Sequence, residues 1–146
     1  EMRNGYALLT GAVPDDVPEA HDELAIDIHA DTEVTLAGAG HTVTQAYCSA
    51  LPLGYSSVDT DQVAPLARMV LNSSYEATLA AGAINAARSG NNTVWLTLVG
   101  GGVFHNPITW IVDAIERACN LYADVDLDIA IVSYRNSNPA LRKLLG

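Results

Sequence analysis

The stretch Leu96–Trp110, LTLVGGGVFHNPITW, limits what this chain can fold into more than any other part of it. An apolar run meets three consecutive glycines, and an Asn-Pro pair follows before apolar residues return at helical spacing. Glycine inside regular structure costs roughly 0.5–1 kcal/mol relative to alanine, so the strand ends at Gly100. Asparagine suits the N-cap of a helix and proline its first position. The segment therefore predicts a strand, a turn and a helix, with Asn106 as the cap and Pro107 just inside. Three bare residues also let a ligand approach the main chain closely. The loop amides and the helix N-terminus together form a cradle suited to an anion, phosphate above all. A plain strand-to-helix turn is the competing reading.

The flanking segments extend the pattern. A long helix is predicted over about Asp61–Arg88, capped by Thr60 and stopped by Gly90, with Leu66, Met69, Val70, Tyr75, Leu79 and Ile84 at helical spacing. Thr93–Val99 reads as a strand covered on both faces. The helix after the glycines runs to about Tyr122, with Ile108, Ile111, Val112, Ile115, Cys119 and Tyr122 as its buried stripe. Leu127–Tyr134 is a further strand, and Asn138-Pro139 opens a short last helix. That order predicts right-handed crossovers and an α/β fold with a mixed, largely parallel sheet flanked by helices. Ligands in such folds sit beyond the carboxyl ends of the strands, where the glycines lie.

Tyr6–Val13 is a candidate strand and residues 14–23 a polar loop. In Leu24–Leu36, Ile26, Ile28, Ala30, Thr32 and Val34 point one way and Asp27, His29, Asp31 and Glu33 the other, which predicts a strand with one buried face. The charged set reads as a solvated outer face or as a divalent-cation site. His41–Leu53 is the next strand, and Gly54–Thr60 a turn-rich loop.

Composition narrows the function. The 146 residues suit one domain, and 49 % hydrophobic with 16 % charged residues is a globular balance. The net charge is -10, with a single lysine, Lys143, which argues against general nucleic-acid binding. No apolar run is long enough to span a bilayer. Cys48 and Cys119 read as reduced core residues, which implies a cytoplasmic location. Trp95 and Trp110 read as core. No serine lies in a nucleophile elbow. Walker A is excluded because no Lys follows the glycines, and His105 stands where the dinucleotide fingerprint needs its third glycine.

On these residues the segment from about Thr42 onward resembles the later part of a macrodomain, the ADP-ribose-binding family. Gly100-Gly-Gly-Val-Phe-His-Asn-Pro107 is similar to that family's Gly-Thr-Gly-Val-Tyr-Gly phosphate loop, and Tyr47–Tyr55 resembles the strand and loop before its long helix. The resemblance implies a three-layer α/β/α domain over residues 1–146; because the family's early Asn-Ala-Ala-Asn segment has no counterpart, either an N-terminal part lies upstream of Glu1 or the chain is a divergent or reduced member. It implies that Gly100, Gly101, Gly102 and Val103 give amides to a diphosphate. It also implies that Phe104 and His105 meet the distal ribose, that Asn106 completes the loop, and that Tyr134 and Asn136 lie beside the adenosine. The implied partner is ADP-ribose or an ADP-ribosylated protein, with no cofactor and no membrane, and the implied chemistry, if any, is hydrolysis of an ADP-ribosyl linkage. A non-catalytic interaction domain with an altered pocket, and a metal-assisted hydrolase built on the acidic strand, are the alternatives.

Overall fold

The computed structural model describes every residue except 1, 12, 14–16, 18–20, 22, 134, 135 and 146. Its centre is a thirty-residue helix, α1 (Thr60–Ser89). The cap is Asp59, one residue before the expected Thr60; its carboxylate accepts the Asp61 amide at 2.8 Å. Gly90, at φ 77°, ends the helix in a left-handed turn that only glycine takes freely. Val63, Ala67, Leu71, Tyr75 and Leu79 recur at every fourth position and are all buried. Of the expected stripe, Ile84 is instead 70 % exposed.

A second helix, α2 (Ile108–Leu121), buries Ile111, Val112, Ala114, Ile115 and Ala118. Leu71, Tyr75 and Leu79 of α1 meet Ile111, Ile115 and Ala118 of α2 in one core, joined by Ala50 and Leu96. Burying each of the large aliphatic side chains contributes about 1.5–3 kcal/mol. The helix is not capped as expected. Pro107 occupies the cap position without a side-chain bond, and Asn106 lies outside the helix. The same Asn-Pro device does cap the C-terminal 3-10 helix, Pro139–Leu145, where Asn138 Oδ1 accepts the Ala140 amide at 3.0 Å. Lys143 from that helix bridges Asp113 at 2.9 Å and Glu116 at 2.7 Å, and Arg68 also reaches Asp113. Lys143 first, then Arg68, holds the Asp113 carboxyl below its ordinary range.

The strands form three two-stranded sheets among the described residues. In the first, β1 (Met2–Arg3) and β2 (Tyr6–Ala7) make a small hairpin across Asn4-Gly5, both at positive φ, so within the described part of the expected strand Tyr6–Val13 the ladder covers Tyr6 and Ala7. In the second, β3 (Asp27–Glu33) pairs antiparallel with β4 (Thr42–Tyr47). In the third, β5 (Thr93–Leu96) pairs parallel with β6 (Asp128–Ile131), Thr93 opposite Asp128 and Leu96 opposite Ile131.

Two expectations need correction here. The strict alternation in β3 breaks at a bulge between His29 and Thr32, where Asp31 stands at φ 55°. The bulge turns the Asp31 carboxylate onto Arg88 at the end of α1, with contacts of 2.6 and 2.9 Å. The acidic residues therefore do not share one face, and no group of His, Cys, Asp and Glu among the described residues is placed to hold a metal. β3 has no buried face either; Ile28 is 43 % exposed, because α1 lies under β4, one strand further in.

The other correction concerns the sheet. The alternation of strands and helices in the second half is present, but no large parallel sheet joins them. β4 and β5 both pack on α1. Along β4, Thr44 reaches Asn85 of α1, and the Cys48 thiol lies against Thr78 and Ser74. Along β5, Val94 lies against Gly82, and Tyr75 reaches Thr97 just beyond the strand. Both strands thus run opposite to α1 and parallel to each other. Yet no backbone hydrogen bond crosses between them among the described residues. Val94 and Leu96 face α1, so Trp95 points to the opposite side, where it is 69 % exposed rather than in the core. Trp110 is half-buried, with the Arg68 guanidinium 4.8 Å from its ring centroid.

Candidate anion site at the glycine corner

β5 is held at its exit by a side chain from α1. Tyr75 Oη donates to the Thr97 carbonyl at 2.8 Å and accepts the Val99 amide at 3.0 Å. Burial pushes the Tyr75 hydroxyl pKa well above its ordinary value, so it remains a neutral donor. The chain then turns through the glycines, closed by a bond from the Asn106 amide to the Gly100 carbonyl at 3.1 Å.

The three glycines have different reasons to be glycine. Gly100 stands at φ 78°, and a Cβ there would fall 2.5 Å from the Ala50 methyl and 2.7 Å from Asn106 Nδ2. A Cβ on Gly101 would crowd the Leu98 carbonyl at 3.2 Å and Ile111 Cδ1 at 3.3 Å. Packing accounts for both. Gly102 differs: its φ is not positive, and a Cβ would meet nothing within 4 Å. The fold does not require glycine at 102.

The amides divide in the same way. Those of Gly101, His105 and Asn106 are engaged by Leu98, Gly102 and Gly100 carbonyls at 3.0–3.1 Å. Those of Gly100, Gly102, Val103 and Phe104 donate to no partner among the described residues, nor do those of Ile108 and Thr109 at the start of α2. The carbonyl of Phe104 accepts the Gly54 amide at 2.9 Å, which ties the loop to the turn before α1. A Cβ on Gly54 would fall 2.6 Å from the Val103 carbonyl, so this second contact also depends on glycine.

Asn106 is the buried polar residue of the corner, 5 % exposed. It is not a cap but a clamp: Nδ2 donates to the Leu51 carbonyl at 2.9 Å and lies 3.4 Å from that of Gly100. Its Oδ1 is buried without a hydrogen-bond partner among the described residues. His105 stands at φ 56°, the left-handed conformation that glycine adopts more readily. It is exposed, with its ring beside Gly54. Val103 is 65 % exposed.

Phe104 anchors an aromatic cluster that sequence reasoning missed. Its ring packs edge-on against Tyr6 at 5.8 Å and Tyr55 at 6.0 Å, and Tyr6 and Tyr55 are 5.2 Å apart. A cavity of about 300 Å³ beside the cluster is lined by Arg3, Asn4, Tyr6, Leu8 and Tyr55. The adjacent Gly54-Tyr55 in a turn-rich loop was the available signal for Tyr55; nothing local pointed to Tyr6. Tyr75 was visible only as one member of an apolar stripe. Asn136 lies exposed beyond β6 and forms no hydrogen bond to the loop among the described residues. Tyr134 lies outside the described residues.

A cavity of about 910 Å³ lies between β4 and β5. Compared with protein-family models, with curated proteins and with solved structures, the chain gives no match in any of the three. The chain is an α/β protein in which a pinned strand, a glycine turn and a helix N-terminus gather amides that have no partner among the described residues. No helix among the described residues is long and apolar enough to cross a membrane.

Proposed function

We propose that the glycine corner binds the diphosphate of ADP-ribose or of an ADP-ribosyl group, as part of a macrodomain-like three-layer α/β/α module. The observation that carries this reading is Gly102. Its bare position answers no packing or backbone demand, and it sits among the unengaged amides of Gly100, Val103 and Phe104. A side chain there would cover those amides; its absence leaves them open to an anion. Phe104, with Tyr6 and Tyr55, offers an apolar wall beside the loop for a sugar face. With a net charge of -10 the surface does not favour polyanions, so main-chain amides are the fitting device for one small anionic ligand. The reading is of a binding site, and it assigns no general base.

Calorimetric titration with ADP-ribose tests it. The protein should bind with measurable heat, and Gly102→Leu should weaken binding at least tenfold, roughly 1.4 kcal/mol, while its circular dichroism and unfolding midpoint stay unchanged. Absence of heat at millimolar ADP-ribose, or a Gly102→Leu protein that binds as well as the parent, overturns the proposal.

A further inference from the structure

We propose that the slot between β4 and β5 is a strand-acceptor site: it takes one extended, apolar, neutral-to-basic segment of polypeptide lying outside these 146 residues, hydrogen-bonded to both edges. The argument starts from what lines the slot. A pocket on the face of a sheet is lined by every second residue, because side chains alternate. This one is lined by every residue from His41 to Cys48 and by every residue from Thr93 to Thr97. The edges of the two strands, not their faces, look across it. β4 is paired on its other side with β3, and β5 with β6, and no hydrogen bond joins β4 to β5. Each therefore turns backbone donors and acceptors toward the other, a template for strand addition, although at the ends of the β5 edge the Thr93 amide already donates to Asn91 Oδ1 and the Thr97 carbonyl accepts from Tyr75.

The size fits. Strands lie about 4.8 Å apart, rise about 3.3 Å per residue and fill a layer about 10 Å deep, on the order of 160 Å³ per residue. A cavity of about 910 Å³ then holds about six residues of strand, the length of β4. The floor fits as well. Under the slot α1 presents Thr78, Ala81 and Gly82, which leave depth for inward aliphatic side chains. On the open side, Trp95, Tyr47 and Val43 are exposed and give an apolar neighbourhood to the outward ones. Charge selects the source. Two copies of a chain with net charge -10 repel, which disfavours a second copy and favours a neutral or basic segment.

The probe is a capped peptide of alternating valine and threonine, about six residues long and ended with lysines. Amide hydrogen exchange of the whole chain is followed with and without it. The expected result is exchange slowed at least tenfold in Thr42–Tyr47 and Thr93–Leu96 at saturation. Cys48, which lines the slot, should become protected from alkylation while Cys119 is unaffected. The same peptide N-methylated at alternate amides should lose both effects, and Ala81→Phe should fill the floor and block binding. Unchanged exchange at millimolar peptide overturns the proposal, as does equal protection by the N-methylated peptide. Protection that rises with protein concentration alone, together with a dimer in sedimentation, also overturns it, because a second copy then fills the slot.

Discussion

Gly100→Val should leave a folded but strongly destabilised protein, with its urea midpoint well below that of the parent. The substitution incurs two separate penalties at one position. A non-glycine residue at φ 78° costs roughly 1–2 kcal/mol, and more when β-branched. The new Cβ would lie 2.5 Å from Ala50 and 2.7 Å from Asn106 Nδ2, in a well-packed corner where overpacking costs about 1–3 kcal/mol. Ala50 belongs to the main core, and Asn106 ties the loop to Leu51, so neither neighbour can yield cheaply. The sum, about 2–5 kcal/mol, is a large part of the stability of a domain this size. Urea unfolding measures it, and Gly102→Val supplies the control, with an expected change of less than about 1 kcal/mol. Equal losses at the two positions would show that the corner is not packed as described.

Tyr75 carries the second large effect. Tyr75→Ala removes a buried ring from the contact between the helices and should cost about 4–5 kcal/mol. Tyr75→Phe keeps the ring and deletes only the hydroxyl that joins Thr97 to Val99. The loss expected there is about 1 kcal/mol, since the hydroxyl's bonds are removed while the Val99 amide keeps its 3.0 Å contact with the Thr97 carbonyl. Its effect is also local: exchange at the Val99 amide should rise ahead of the rest of β5, and anion binding at the glycine corner should weaken with it. The pH dependence gives a further check. The folded-state pKa of Tyr75 lies above the ordinary 10.0, so above about pH 10 the unfolded chain binds fewer protons than the folded one. Stability should therefore fall as the pH rises through that region, and the slope should be shallower in Tyr75→Phe. A parent and variant with the same alkaline slope would remove Tyr75 from this role.

The parts of the fold legible in the sequence are those decided by local period and punctuation. α1, α2, β5, β6 and the glycine corner follow from apolar spacing, from Gly90 and from the glycine run, and the structure has them within a few residues. Residues whose role depends on distant partners were not legible. Asn106 and Asn138 stand before identical prolines, yet only Asn138 caps a helix. Asn106 is drawn away by the Leu51 carbonyl, 55 positions distant in sequence. Asp31 has the parity of an outward residue, and a bulge reverses it toward Arg88, which the alternation pattern could not register. Trp95 reads as core because apolar runs imply cover on both faces, whereas the cover is present on one. At the candidate site the glycines themselves were legible. The distinction among them was not, because it rests on what Ala50, Ile111 and Leu98 bring to each position.

Among the described residues the antiparallel pair β3 and β4 is tied to α1 by the Asp31–Arg88 ion pair, the Thr44–Asn85 contact and the packing of β4 on the helix. With no ladder fastening it to β5, this pair can detach as a unit while the two helices, β5 and β6 keep their own core. Loss of order would then proceed in two stages rather than one, the hairpin leaving first. A single melting temperature would misdescribe a chain built in this way.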